Sequence, residues 1–199
     1  MEKIKIEIEG KDKKYPIFID SSTSSLIEKF ITENHKNKKI VIITDDNIKN
    51  LCENSILKSL KTLNPYLISI PAGENSKTRE TKEKIEDILL ERKYGRDTLI
   101  IAFGGGVIGD LTGFTASTFN RGIPIIHVPT TLLAMVDSSI GGKTSVNTKH
   151  GKNLIGTTYQ PNAVFTDLNF IDTLSKEEFL SGMAEMIKIS ITSDKDLFS

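Results

Sequence analysis

The chain has 199 residues, 38% of them hydrophobic, and its 26 lysines and arginines balance 26 aspartates and glutamates. This length can bury one core and part of a second domain, and zero net charge excludes a global attraction to nucleic acid or an anionic membrane as partners. No run reaches the roughly 18 apolar residues of a membrane span, and the start MEKIKIEIEG lacks the apolar core of a signal peptide. The single Cys52 excludes an internal disulfide and favours a cytoplasmic location.

Strand and helix patterns alternate along the chain. IKIEIE and YPIFI, joined by GKDKK, predict an N-terminal antiparallel β-hairpin. Four apolar runs are typical of buried parallel strands, namely KIVIITD, YLISIPA, DTLIIAF and IPIIHVP. Three intervening segments have helical character: SSLIEKFITEN, NIKNLCENSILKSL and SKTRETKEKIEDILLERKYG. The alternation predicts an α/β fold with a Rossmann-like, mostly parallel sheet and helices on both faces.

The pattern changes near Thr173, where SKEEFLSGMAEMIKISI begins a helix. We assign residues 1–173 to the α/β domain and 174–199, which begin with this helix, to the start of a second domain. Ser175 and Glu178 have the spacing of a capping box. Glu185 and Lys188 share one side of this helix, either as a solvated ion pair or as two charges lining a cleft. The apolar arc on the other side comprises Phe179, Leu180, Met183, Met186 and Ile187, and we expect both methionines in the core.

A glycine-rich run, GGGVIGD, lies between a predicted strand and a predicted helix. Gly104, Gly106 and Gly109 satisfy G-x-G-x-x-G, in which backbone N–H groups meet a pyrophosphate, although the same glycines could serve close packing. The acid that usually follows about 20 positions downstream is missing, whereas Asp45 and Asp46 follow an earlier strand. If a dinucleotide binds, its adenosine end must reach a strand that precedes the glycine loop, which is not the ordinary Rossmann order.

Two further polar segments follow predicted strands. PAGENSKT offers Glu74 and Lys77 on a turn, either as a second ligand cradle or as a polar loop with a helix cap. The segment HVPTTLLAMVDSSIGGKTSVNTKHGKNLIG is dense in polar groups, and its lysines among glycines favour a phosphate over simple surface ion pairs.

Motifs along the chain resemble those of the 3-dehydroquinate synthase family. They are GGGVIGD, Asn120-Arg121-Gly122, VPTTLLAMVDSSIGGKTSVN, GKNLIG and GMAEMIKIS, and the resemblance extends over nearly all of the chain from about Ile40. It implies conversion of 3-deoxy-D-arabino-heptulosonate 7-phosphate, a sugar phosphate, to 3-dehydroquinate and phosphate in the shikimate pathway of aromatic amino acid biosynthesis. The implied cofactors are NAD and a divalent metal, zinc or cobalt.

The resemblance also implies roles for individual residues. The implied NAD contacts are Asp45, Asn47, Glu74, Lys77, Gly105, Gly106, Asp110, Thr130, Thr131, Lys143, Lys152 and Thr173. The implied substrate contacts and catalytic residues are Asp137, Lys143, Asn153, Lys188 and Arg121. Arg121 would reach the substrate phosphate of the neighbouring subunit, so a homodimer is implied. Glu185 is the implied first metal ligand.

The metal site is expected to be incomplete in this chain. The resemblance implies that residues 174–199 are the first helix of a truncated α-helical C-terminal domain, which binds metal and substrate and whose remainder is absent. A catalytic zinc typically has three protein ligands, and in the family the other two are histidines of that domain beyond residue 199. His35, His127 and His150 match neither of them, so we expect no cyclase activity from the chain alone. We also expect an exposed apolar surface where the helical domain would pack. There are two alternatives to the 3-dehydroquinate synthase interpretation. The chain could belong to a related sugar-phosphate cyclase, or it could be a module that only binds a nucleotide or dimerises.

Overall fold

The computed structural model describes residues 4–9 and 14–193. The strands are β1 (Ile4–Glu9), β2 (Lys14–Asp20), β3 (Lys39–Asp45), β4 (Tyr66–Ile70), β5 (Thr98–Gly104), β6 (Ile125–Pro129), β7 (Lys143–Thr148), β8 (Gly151–Thr158) and β9 (Ala163–Asp167). The α-helices are α1 (Ser24–Asn34), α2 (Lys49–Cys52), α3 (Arg79–Glu91), α4 (Gly106–Thr118) and α5 (Lys176–Ser193). π-helical turns cover Glu53–Leu57 and Ala134–Ser138, and 3₁₀ turns cover Lys61–Leu63, Glu74–Ser76, Phe119–Arg121 and Leu168–Thr173.

Seven strands form the main sheet, in the order β1-β2-β9-β6-β5-β3-β4. All neighbours from β2 to β4 are parallel, and β1 runs antiparallel to β2. The predicted N-terminal hairpin and the predicted mostly parallel sheet are therefore confirmed. β3 and α1 also have the bounds that their sequence patterns predict.

Both faces of the main sheet are covered by helices, as predicted. Ile40 and Ile42 of β3 pack on the face that carries α1 and α2, whereas Val41 and Ile43 pack on the face that carries α3 and α4. Because side chains alternate along a strand, a nearly continuous apolar run supplies both cores. All seven residues of β5 are buried in the same way.

The order of the central strands creates a crevice at their carboxyl ends. β3 lies between β4 and β5, and the chain leaves β5 in the opposite direction, towards β6. Ligands of open α/β sheets bind outside such a topological switch point. The end of β3 at Asp45 therefore lies beside the end of β5 at Gly104. This arrangement confirms the expected adjacency of the glycine loop and a strand that precedes it in the chain.

The polar segment after β6 contains a hairpin that the sequence patterns did not predict. β7 and β8 pair antiparallel in a separate two-stranded sheet that packs on α4. A Cβ atom on Gly113 of α4 would overlap the Thr144 methyl carbon of β7, so only glycine permits this approach. β9 was also not predicted, and it inserts between β2 and β6.

Helix α5 begins with the predicted capping box. The Ser175 N–H donates to Glu178 Oε2 at 3.1 Å, and the Glu178 N–H donates to Ser175 Oγ at 3.2 Å. The placement of both methionines in the core is wrong, because Met183 is half-buried and Met186 is exposed. Among the described residues of α5 only Gly182 is buried, so the helix presents the expected exposed apolar surface: Phe179, Leu180, Met186, Ile187 and Ile191. No described helix is long and apolar enough to cross a membrane.

Candidate functional site

The glycine loop presents an uncapped helix end to the crevice. β5 ends at Gly104 and α4 begins at Gly106, with Gly105 as an N-cap residue that supplies no side-chain hydrogen bond. The first N–H groups of a helix have no intrahelical acceptor, and the helix dipole places partial positive charge there. The loop can therefore accept an anionic group such as a phosphate.

The same glycines also permit close packing. A Cβ atom on Gly105 would lie 3.1 Å from Thr131 Cγ2, and one on Gly106 would lie 3.0 Å from Ser138 Oγ. Such contacts are tighter than ordinary van der Waals distances. Of the two interpretations of this motif, packing is thus supported directly, and it holds Thr131 and Ser138 against the start of α4.

A buried lysine joins the loop after β4 to α4 and to the hairpin. Lys77 Nζ forms an ion pair with Asp110 Oδ2 and donates to Asn153 Oδ1 at 2.5 Å. The Lys77 side chain is only 5% exposed and that of Asp110 15%. Burial raises the pKa of Asp110, and the hydrogen bond and charge of Lys77 oppose that rise. An ionised carboxylate in this position therefore depends on its lysine partner.

The hairpin end, defined as residues 147–153, is held against the same loop. Asn147 donates through its backbone N–H to the Lys77 carbonyl at 2.8 Å and through Nδ2 to Glu74 Oε1 at 2.7 Å. The Asn153 N–H donates to Asn147 Oδ1 at 3.0 Å, and Lys152 Nζ lies 3.7 Å from Glu74 Oε1. The structure thus brings together five residues that the sequence singled out: Glu74, Lys77, Asp110, Lys152 and Asn153.

A cavity of about 530 Å³ opens beside this cluster. Its lining includes the sequence-predicted residues Asp110, Asp137, Lys143 and Asn153. Asp137 lies in the π-helical turn Ala134–Ser138, and Lys143 begins β7. Carboxylate, ammonium and amide groups around one cavity can bind a ligand that carries both hydroxyl and anionic groups.

The paired charges Glu185 and Lys188 lie on α5, which packs against the π-helical turn that bears Asp137. Lys188 forms an ion pair with Glu185, whose side chain is 17% exposed. The hydrogen bond that Lys188 donates to Glu185 raises the pKa of Lys188, and the negative charge of Asp137 adds to the rise. The ion pair of the first interpretation is therefore present, with Lys188 64% exposed, and the placement of the two charges in a cleft stays a prediction.

The remaining strand ends place their polar residues along the crevice. Asp45 Oδ1 accepts hydrogen bonds from the N–H groups of Asn47 at 3.0 Å and Ile48 at 3.3 Å. Burial is the largest cause of the raised pKa of Asp45. The Thr130 N–H donates to the Gly104 carbonyl at 3.1 Å, which holds the two strand ends side by side. Thr131 Oγ1 accepts from the Ala134 N–H at 3.3 Å and so caps the helical segment that bears Asp137.

Two sequence-predicted residues lie apart from the Lys77 cluster. Arg121 follows the C-terminal end of α4, about 20 Å from its first residue at 1.5 Å per residue, and it is exposed with a φ of 68°. Thr173 donates to the Phe170 carbonyl at 2.7 Å and lines a separate cavity of about 440 Å³ with Asp167. Within the part of the chain that the structure describes, neither side chain forms a hydrogen bond or an ion pair with the residues around Lys77.

Sequence reasoning missed three polar residues of the site. Asn147 bridges Glu74 and Lys77, Ser145 Oγ donates to Asn153 Oδ1 at 2.9 Å, and Ser138 Oγ is buried without a hydrogen-bond partner at the glycine loop. Their roles depend on contacts between segments far apart in sequence, which no local motif encodes.

Metal-ligating residues do not converge within residues 4–9 and 14–193. No group of three or more histidine, cysteine, aspartate or glutamate side chains there could hold a metal ion. His127 is buried in β6, and burial lowers its pKa to about 4. His150 is exposed at the hairpin end. Glu185 is thus a lone candidate ligand among the described residues.

The fold defines a doubly wound α/β protein with a polar cavity between α4 and the β7–β8 hairpin. Residues 67–181 match the family model described as 3-dehydroquinate synthase N-terminal. The chain therefore belongs to the 3-dehydroquinate synthase family.

Curated relatives agree with this assignment. The chain is 46% identical over 196 residues to a 3-dehydroquinate synthase from Pseudoalteromonas translucida, covering 98% of this chain and 55% of that protein. It is 51% identical over 161 residues to one from Campylobacter concisus, covering 81% of this chain and 47% of that protein. The chain spans about half the length of the curated relatives it matches.

Solved structures of related cyclases share the fold. A 2-deoxy-scyllo-inosose synthase, complexed with carbaglucose-6-phosphate, NAD⁺ and Co²⁺, superposes with a TM-score of 0.85 at 28% identity, covering 93% of this chain and 50% of that one. A 2-epi-5-epi-valiolone synthase from Streptomyces hygroscopicus, with NAD⁺ and Zn²⁺ bound, gives a TM-score of 0.82 at 26% identity. The match covers 95% of this chain and 52% of that one.

Proposed function

We propose that this chain is the cofactor-binding part of a 3-dehydroquinate synthase, which converts 3-deoxy-D-arabino-heptulosonate 7-phosphate to 3-dehydroquinate and phosphate. The observation that carries the proposal is its identity to curated 3-dehydroquinate synthases, which extends over nearly the whole chain. That identity exceeds its identity to the inosose and valiolone synthases. A single buried, free cysteine is compatible with a cytoplasmic location.

NAD is the proposed cofactor, and the crevice residues fit it. The uncapped start of α4 at Gly105 and Gly106 would face the pyrophosphate, and Asp45 would accept from the adenosine ribose with Asn47 beside it. NAD, when bound, would accept a hydride from the carbon that bears a secondary hydroxyl of the substrate, as the hydroxyl proton leaves to a base, and would later return the hydride. The further proposed contacts are Glu74, Lys77, Asp110, Thr130, Thr131, Lys143, Lys152 and Thr173.

The cavity beside Asp110 is the proposed substrate site. Lys143 and Lys188 would attract the phosphate and carboxylate groups, while Asp137 and Asn153 would hold hydroxyl groups in one orientation. A lysine at its ordinary pKa is charged throughout the neutral range, and the upward shift of the Lys188 pKa only reinforces the charge that anion binding requires. Fixed charges in a partly closed cleft stabilise developing charge more strongly than water does.

A divalent metal, zinc or cobalt, is the second proposed cofactor, with Glu185 as one ligand. The described residues do not complete a site around that carboxylate, which is already paired with Lys188. We therefore assign no step to a metal. We expect no cyclase turnover from this 199-residue chain supplied with substrate, NAD and zinc or cobalt, and measurable turnover would contradict that expectation.

A homodimer is part of the proposal because Arg121 lies far along α4 from its own glycine loop. An arginine at that distance could serve the substrate of a neighbouring subunit. A related sugar-phosphate cyclase is the second candidate, and it is favoured by the TM-scores of the inosose and valiolone synthases. A module that only binds a nucleotide or dimerises is the third.

Calorimetric titration of NAD into the wild-type chain and the Asp110→Ala variant tests the cofactor proposal. We expect saturable binding that the substitution weakens by about 10-fold to 100-fold, as loss of one hydrogen bond to a charged group predicts. Asp97→Ala is the matched control, because Asp97 also pairs with a lysine, at 3.0 Å, but precedes β5 at the opposite edge of the sheet. Absence of saturable NAD binding to the wild-type chain would contradict the proposal for this chain.

A further inference from the structure

Lys77 is a buried lysine whose contacts reach three separate segments. Its Nζ pairs with Asp110 of α4 and donates to Asn153 of β8, while its carbonyl accepts from the Asn147 N–H. Lys77 itself follows the 3₁₀ turn after β4. Because lysine is rarely buried without partners, this side chain is held in place by the groups it connects.

The hairpin end depends on such contacts for its position. β7 and β8 share no ladder with the seven-stranded sheet, since the two sheets of the described residues are separate. Asn153 also has a φ of 59°, a left-handed conformation that costs a non-glycine residue free energy. Its side-chain oxygen accepts from both Lys77 Nζ and Ser145 Oγ, and these bonds stabilise that conformation.

The two partners of Lys77 have different proposed tasks. Asp110 lies at the cofactor side of the cleft and Asn153 at the substrate side, and both line the cavity of about 530 Å³. Lys77 Nζ is bonded to both Asp110 and Asn153. A ligand that moves Asp110 therefore also moves the Lys77 ammonium group and changes the geometry of its hydrogen bond to Asn153.

We propose that Lys77 is a positioning residue that fixes the hairpin end onto α4 and thereby couples Asp110 to Asn153. Through this coupling, a cofactor bound beside Asp110 orders Asn153 and the rest of the hairpin end, which face the substrate. The coupling rests on the proposed function, whereas the anchoring of the hairpin end does not depend on any ligand.

Hydrogen exchange of the ligand-free chain tests the anchoring. In Lys77→Met, we expect amides of residues 147–153 to exchange at least about tenfold faster, as loss of a hydrogen bond to a charged group predicts, while β3 amides are unchanged. Lys82→Met is the matched control, because Lys82 is also largely buried and paired, at 2.5 Å from Glu86, but lies on α3. We expect the control to leave residues 147–153 unaffected.

Removal of Lys77 leaves Asp110 buried without its partner, which could unfold the chain. The double variant Lys77→Met/Asp110→Asn removes that unpaired charge and still lacks the bond to Asn153. Faster exchange confined to the hairpin end in this variant would again support the proposal. Unchanged exchange there, or an equal increase throughout the chain, would overturn it.

The same measurement with saturating NAD tests the coupling. We expect NAD to slow exchange at residues 147–153 in the wild-type chain by several-fold and to leave these amides unprotected in Lys77→Met, even at concentrations that saturate the variant. Equal protection in both would overturn the coupling. Failure of the wild-type chain to bind NAD would instead refute the proposed cofactor and the coupling with it, while the ligand-free comparison would still decide the anchoring.

Discussion

A Cβ atom on Gly182 would lie 2.5 Å from Leu132 Cβ, so α5 rests directly on the helical segment that follows Thr131. The same atom would lie 2.8 Å from the backbone nitrogen of Leu133, which cannot rotate aside as a side chain can. This contact carries Glu185 and Lys188 to the side of the cavity residue Asp137.

Gly182→Ala is predicted to destabilise the protein. Alanine in a helix interior is favoured over glycine by about 1 kcal/mol, but overpacking costs about 1–3 kcal/mol, and the fixed backbone neighbour makes the larger cost apply. We expect a net decrease of up to about 2 kcal/mol in the free energy of unfolding, measured in urea. Ser181→Ala, at an exposed neighbouring position, is the control. A more stable Gly182→Ala variant would show that α5 can move away at no cost.

Gly113→Ala is predicted to displace the β7–β8 hairpin from α4. A Cβ atom there would overlap the methyl carbon of Thr144, and this overpacking cost of about 1–3 kcal/mol exceeds the gain of about 1 kcal/mol from alanine in a helix, so we expect a net loss of up to about 2 kcal/mol in unfolding free energy. Thr144→Ser removes that methyl group and should relieve part of the loss. A double-mutant cycle measured by urea denaturation should give a coupling of at least about 0.5 kcal/mol, and strict additivity would refute the predicted contact.

His127 is predicted to make the protein sensitive to acid. It lies on β6 facing α4, and burial lowers its pKa from 6.5 to about 4, so the unfolded chain binds a proton that the folded chain excludes. The contribution of His127 to stability should be constant above pH 6.5 and fall between pH 6.5 and 4, by at most roughly 1.4 kcal/mol per pH unit. His127→Leu should reduce this slope in urea denaturation at several pH values, whereas the exposed His150→Ala should retain it.

Asp45→Asn is predicted to stabilise the protein at pH 7. Burial raises the pKa of Asp45, so its ionisation as the pH rises is less favourable in the folded chain than in the unfolded chain. Asparagine retains an oxygen acceptor for the Asn47 and Ile48 N–H groups without the charge. The gain in unfolding free energy should disappear near pH 3, where both states hold the proton.

Asp97→Asn is the opposite case. Lys39 lowers the pKa of the Asp97 carboxyl group, so the same substitution should decrease stability at pH 7. If Asp45→Asn and Asp97→Asn changed the free energy of unfolding at pH 7 in the same direction, the role of burial at Asp45 would be contradicted.

The main sheet could be predicted from the sequence because its signals are local. The bounds of β3 and α1 agree with their sequence patterns to the residue. For β3 the reason is that a short apolar run such as KIVIITD is typical of a buried parallel strand. β7 and β8 were missed because their sequences, KTSVNT and GKNLIGTT, are polar, and nearly all of β8 is exposed. A strand without an apolar face carries no alternation from which it could be recognised.

The sequence predicted many residues of the candidate site but not the contacts between them. Lys77 lies 33 positions from Asp110 and 76 from Asn153, so no spacing rule could pair them. The methionines of α5 were misplaced for a related reason. Helical periodicity identifies an apolar face, but it does not show whether another part of the protein covers that face.

The separation of the two sheets has a mechanical consequence. One wall of the cleft belongs to α4 and the helical turn Ala134–Ser138, and the other to the β7–β8 hairpin, which shares no backbone ladder with the main sheet. The width of the cleft can therefore change without breaking a ladder of either sheet. The position of the hairpin is set by side-chain packing, with Val146 fully buried and Thr144 against Gly113, so substitutions at these contacts can alter the width of the cleft while both sheets keep their hydrogen bonds.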